Sequence, residues 1–193
     1  MPHLPPVTKA FMLACVGLFC AFLLLPPSLQ LFFALWPVNS GNFLPWQPLT
    51  YAFLHGDVLH LFFNMLGLWM FGSELERVWG SKRYMQMLAA SILSAAAMQL
   101  VFTLLIGSLS PTVGASGALF GLLLSFGMLF PDRIIMPLFP PIPMKAKYFV
   151  AIFGALELLM GLSGRSGIAH FAHLGGMLGA YLLIRYWRGS RRR

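Results

Sequence analysis

A few polar side chains interrupt an otherwise apolar sequence, and they are of types that do acyl chemistry: His60, Asn64, Ser116, Glu157, His170 and His173. A serine hydroxyl becomes a nucleophile when an imidazole takes its proton, and the oxyanion that follows needs donors aimed at it. Ser116 lies in Gly114-Ala115-Ser116-Gly117, at the first turn of a predicted helix. Backbone N–H groups are free there and the helix dipole favours negative charge. The same place suits a helix cap with no chemistry in it, so the motif alone leaves nucleophile and cap both open. His60 and Asn64 are four apart, on one helix face. They can form an oxyanion hole or an interhelical polar clasp. Glu157 reads as structural, either protonated towards the cavity or paired with a polar group on the second or sixth predicted helix, because a charge there is costly. His55 reads as a hydrogen bonder that fixes a loop. No metal and no cofactor is expected, since the histidines lack the His-Glu-x-x-His pattern that puts two ligands and a base on one face. Cys15 and Cys20 are five apart on different faces, which suits packing and not a disulfide.

The elements that carry these residues follow from how little charge there is. Of 193 residues, 9% are charged and 59% hydrophobic, with a mean hydropathy of +0.79. A soluble domain carries about 25% charge, and a chain of this size has too little interior to hide so much apolar surface. A soluble globular domain is excluded. The net charge of +8 does not indicate nucleic acid, because the basic residues sit in short clusters between apolar runs and form no surface stripe. Charge-free stretches run over 10–56, 58–73, 84–131 and 166–184, and 148–164 carries only Glu157. Divided at their Pro and Gly residues, and against a span length of about 20, they predict six helices: 9–25, 57–73, 83–106, 115–130, 147–162 and 168–186. The first reads as a span and not a secretory signal, since no small-residue cleavage site follows it.

With a cytoplasmic N-terminus, twelve of the thirteen Lys and Arg residues fall on the inside and only Arg165 outside. The charge is then a topology signal, for a multi-pass protein of the cell membrane with both termini cytoplasmic. The uncharged outer loop 26–56, with Trp36, Trp46 and Tyr51 along it, is expected to lie in the membrane interface.

Counting from the cytoplasmic helix ends at about 1.5 Å per residue, Ser116 and His60 stand about 21 Å up, Asn64 about 15 Å, His173 about 18 Å and His170 about 22 Å. The groups share one layer, below the outer face of a hydrocarbon core about 30 Å thick. The helix over 115–130 is too short to cross, so its N-terminus starts inside the membrane, which is tolerated only against protein or a water-filled cavity. Water beside Ser and His in a membrane is a setting for hydrolysis. Height does not separate His170 from His173 as the base. Small residues, Gly117 and Gly121 on one helix and Gly175 and Gly179 on another with Gly176 and Ala180 beside them, allow close helix approach.

Taken together the motifs resemble those of the rhomboid family of intramembrane serine proteases, over about 46–181. The resemblance is carried by Trp46-Gln47-Pro48-Leu49-Thr50-Tyr51-Ala52-Phe53-Leu54-His55 followed by His60-Leu61-Phe62-Phe63-Asn64, by Glu74-Leu75-Glu76-Arg77 followed by Gly80, by Gly114-Ala115-Ser116-Gly117 and by Ala172-His173-Leu174-Gly175-Gly176. It implies an all-α membrane protein, a single rhomboid-like domain over 1–193 in the minimal six-helix, bacterial-type form with a short fourth helix. By the same resemblance Ser116 is the nucleophile, His173 the base, and His60, Asn64 and the Ser116 backbone N–H the oxyanion hole. The family works with a Ser-His dyad through an acyl-enzyme and cuts transmembrane segments of other proteins. The chain departs from the pattern at Phe120, where many relatives have an aromatic hydroxyl, and at Trp46-Gln47, where relatives often have Trp-Arg. A proteolytically inactive rhomboid-like protein that binds transmembrane helices is the alternative. Such proteins usually lack the nucleophile or the base, and both are present here.

Overall fold

A computed structural model describes residues 3–138, 141–163 and 169–190. Most of the described residues are helical. Helix α1 is Pro6–Leu24, α2 is Pro27–Phe33, α3 is Gln47–Thr50, and α4 is Val58–Gly67. A π-helical turn over Leu68–Gly72 joins α4 to α5, Ser73–Trp79. Then come α6 at Ser81–Ile106, α7 at Ser116–Leu129, α8 at Ala146–Ser163 and α9 at His170–Ser190. Among the described residues the paired strands are two-residue segments between α7 and α8, β1 Ile134–Ile135 and β2 Met144–Lys145, antiparallel with Ile134 opposite Lys145. Among the described residues four helical stretches are long and apolar enough to cross a membrane: Pro6–Leu24, Val58–Trp79, Ser81–Ile106 and Ala146–Ser163. Helix α7, at 14 residues, is about 21 Å long.

Most predicted boundaries fall within a few residues of these. The helix expected to end at 73 runs on to Trp79 and stops at Gly80, whose φ of 76° lies in the left-handed half that favours glycine. The predicted start at 168 lies outside the described residues, as does Arg165.

The ends of the first two long helices are tied by one carboxylate. The backbone N–H groups of Val7 and Thr8, unsatisfied at the start of α1, donate to Glu76 at 2.9 and 2.7 Å. The hydroxyls of Thr8 and Ser81 donate to it as well, each at 2.8 Å. A negative group at a helix N-terminus is favoured by both hydrogen bonding and the dipole, and α1 has no side-chain cap of its own. Glu76 supplies the cap from α5.

The core is the trio α6, α7 and α9. A Cβ at Gly176 of α9 would collide with the carbonyl of Gly117 on α7, and one at Gly121 of α7 with the Ser91 hydroxyl of α6. Gly175 and Gly179 face the other way: a Cβ there would come within 2.7 Å of the Ser94 carbonyl and 2.6 Å of the Ala90 carbonyl of α6. The two small-residue faces therefore do not meet each other. Gly117 is met by Gly176, while Gly175 and Gly179 seat α9 against α6. With so little side chain between them, the backbones approach closely enough for van der Waals packing to hold the helices without a hydrophobic drive.

Segment 26–56 exposes Leu29, Leu31, Phe32, Trp46 and Leu49, consistent with an interfacial position. Tyr51 does not belong to that set. It is 1% exposed and donates its hydroxyl to the Ile92 carbonyl at 2.9 Å, because a tyrosine can fill core space once its polar tip finds a partner. Gln47, fully buried, accepts from the Trp36 N–H at 3.2 Å and donates to the carbonyls of Phe32 and Asn42 at 3.2 and 3.0 Å. This neutral amide pins the loop where relatives often carry an arginine. Cys15 is buried and Cys20 exposed, and both are free thiols.

Candidate active site

Ser116 is the first residue of α7. The N-cap is Ala115, which offers no side-chain cap, and the Ser116 hydroxyl turns instead to α9: its Oγ lies 2.7 Å from Nε2 of His173. The geometry is that of a hydroxyl paired with an imidazole, and the capping alternative is set aside. Gly114 makes the approach possible. Its φ of 132° is one that L side chains rarely adopt, and a Cβ there would lie 2.7 Å from Nε2 of His60. Its N–H donates to the Tyr51 carbonyl at 2.9 Å, which anchors the strand of backbone leading into α7.

His173 is 7% exposed and held on three sides. Phe120, one turn along α7 from Ser116, stacks on its ring with centroids 4.3 Å apart and planes 7° from parallel. The third contact is the pairing of Glu157 with the last helix, one of the alternatives the sequence left open, though without its partners. Glu157 on α8 places Oε2 2.8 Å from Nδ1 of His173 and 2.6 Å from Nδ1 of His170. The acid is bridged by both histidines. The sequence signal was present, as an acid in an apolar helix and two histidines three apart on another, but which faces those helices turn to each other was not readable from it.

These three residues are of metal-ligand types, and their ligating atoms lie within 4.8 Å of one another. Ligands about 2.1 Å from a tetrahedral ion keep about 3.4 Å between them. Contacts of 2.6 and 2.8 Å are hydrogen bonds, and the cluster is arranged to share protons.

His60 and Asn64 lie on the opposite wall, on α4. Asp57 caps that helix by accepting the His60 N–H at 2.8 Å. Asn64, 3% exposed, donates one amide hydrogen to the His60 carbonyl at 2.8 Å. His60 is half-buried and its ring meets that of His55 edge-on at 5.1 Å. His55 fixes its loop through its backbone: its carbonyl accepts from Gln30 Nε2 at 3.1 Å. The structure thus gathers Ser116, His173, His170 and Glu157 into one hydrogen-bonded set, with His60 beside Gly114 and Asn64 behind it.

The Rhomboid domain model matches residues 42–189. The chain belongs to the rhomboid family. It is similar to proteins named rhomboid protease GlpG: that of Yersinia pestis (strain Pestoides F) is 28% identical over 184 residues, and that of Serratia proteamaculans (strain 568) 30% identical over the same length. Each alignment covers 94% of this chain and 62% of the relative, so the chain spans less than two thirds of these relatives' length. All the site residues of this rhomboid protein lie within the matched domain.

Proposed function

We propose that this rhomboid-family protein is an intramembrane serine endopeptidase that cleaves transmembrane segments of other membrane proteins. The observation that carries the reading is the 2.7 Å contact between Ser116 Oγ and His173 Nε2 at the start of α7. His173 takes the Ser116 proton as Oγ attacks the scissile carbonyl, returns it to the leaving amine, and then activates the water that hydrolyses the acyl-enzyme. The Ser116 backbone N–H, His60 and Asn64 supply the oxyanion donors. Asn64 has a second amide hydrogen to give, and Gly114 keeps the space beside the His60 ring open.

An apolar groove of about 610 Å³ supports lateral entry of a substrate helix from lipid. It runs between α4 at Phe63 and Gly67 and α8 at Phe149 and Phe153, and Phe120, the residue stacked on His173, lines it. In this reading the chain is one domain with six membrane helices and α7 beginning below the outer face. It sits in a bacterial inner membrane with both termini cytoplasmic.

The alternative, an inactive relative that binds transmembrane helices, has no use for a hydroxyl aligned on an imidazole. The two are separated by incubating purified protein in detergent with a single-span substrate and comparing wild type with Ser116→Ala and His173→Ala. Cleavage by wild type alone is expected. Equal cleavage by Ser116→Ala ends the protease reading, and loss of activity in His170→Ala with retention in His173→Ala reassigns the base.

A further inference from the structure

We infer that Glu157 is a positioning residue that extends the Ser116–His173 pair to a Ser-His-Glu triad; the inference rests on the protease reading above. The argument is one of tautomers. In neutral imidazole one ring nitrogen donates and the other accepts. A general base for Ser116 must accept at Nε2, so its proton must sit on Nδ1, and that proton needs an acceptor. Glu157 Oε2 lies 2.8 Å from Nδ1 of His173. As His173 takes the Ser116 proton, the imidazolium keeps its Nδ1–H on the carboxylate, which neither gains nor loses a proton. The Oγ–C bond forms, the carbonyl π pair moves onto oxygen, and the Nε2 proton leaves with the amine as the C–N bond breaks.

A carboxylate at this depth is expensive unless its lone pairs are met. His170 meets that need from α9, with Nδ1 2.6 Å from the same oxygen. The Glu157 side chain is 13% exposed, and those of His170 and His173 are 4% and 9%, so water competes little for these bonds. Two histidines on one oxygen, with the second imidazole's far nitrogen on the serine, place the acid where the third member of a catalytic triad stands.

The test compares wild type, Glu157→Gln, Glu157→Ala and Ser116→Ala on a single-span substrate, with kcat and KM measured separately. The isosteric Gln keeps the volume and an acceptor but removes the charge. Loss of orientation by an acid-to-amide change costs about 10⁴ in kcat in a serine protease, and a fall of at least about 100-fold is expected here, with KM within about twofold. A second readout is independent of turnover. In wild type labelled with ¹⁵N histidine, a strongly downfield Nδ1–H proton is expected that vanishes in His173→Ala and moves upfield in Glu157→Gln. If both Glu157 variants keep kcat within threefold of wild type while Ser116→Ala is dead, a dyad works without the acid and the inference is overturned, with the protease reading intact. If Ser116→Ala is as active as wild type, the protease reading fails instead. The resonance then decides the tautomer, and a proton found on Nε2 of His173 overturns the role of Glu157.

Discussion

Around Ser116 each neighbour answers a separate chemical need. In the proposed mechanism His173 accepts its proton, the free N–H groups of the first turn of α7 face the developing negative charge, and Phe120, stacked on the ring, keeps the imidazole plane from turning. On this reading His60→Ala and Asn64→Ala each remove one oxyanion donor, and each lowers kcat by about 10²–10³-fold with little change in KM, as steady-state cleavage assays will show. His55 makes a prediction about stability. It is 1% exposed, and burial, then the neighbouring His60, lowers its pKa to about 4. An unfolded histidine titrates near 6.5. The folded chain therefore holds His55 neutral, and its contribution is complete above about pH 6.5 and is lost as pH falls from there towards 4. The melting temperature in detergent should drop over that interval, and less steeply in His55→Leu. At this scale Ser116, His60, Asn64, His170 and His173 stood out as candidates because a polar group in an apolar helix is costly, and only the resemblance to the family chose His173 over His170. Glu157 was equally visible, but its role was not. Counting residues gives height in a membrane and not the direction a side chain faces, and the partnership of Glu157 depends on how α8 and α9 are rotated.

At the scale of elements, the site is held by three helices that meet at glycines. Gly176 matters most, because the carbonyl of Gly117 occupies the place of any Cβ there. Gly176→Val must part α7 from α9, and overpacking of this kind costs about 1–3 kcal/mol or more. A lower melting temperature and a loss of cleavage well beyond that of an exposed control such as Leu105→Val are the expected results. Helix α8 is held differently: it buries few residues, among them Phe149, Val150 and Gly161, and Glu157 is its polar link to α9. The long helices were readable from Pro, Gly and charge, whereas the short α2 and α3 lie in a segment that reads as a loop. The continuation of α4 through a π turn into α5 was not, because Ser73 and Glu74 look like an exit from the membrane, while the helix runs on to Gly80, whose positive φ ends it.

For the whole molecule, charge is sorted by end. Arg133 pairs with Glu74, and Lys145 and Lys147 lie 3.1 and 2.9 Å from Asp132. Hydrogen bonds from the two lysines, Lys147 first, hold the Asp132 carboxyl below its usual range. In the proposed topology all of these groups lie on the cytoplasmic side, and the segment 26–56, with its exposed Trp46 and Phe32, lies on the other. A reporter fused after Arg193 should be active as green fluorescent protein and inactive as alkaline phosphatase, and the reverse pattern would invert the topology.

The most direct measurement of the central claim, a serine activated by His173, is labelling with a fluorophosphonate followed by peptide mapping. Wild type should carry one adduct, on Ser116, while Ser116→Ala and His173→Ala stay unlabelled. An adduct at another residue, or labelling that persists undiminished in His173→Ala, would contradict it.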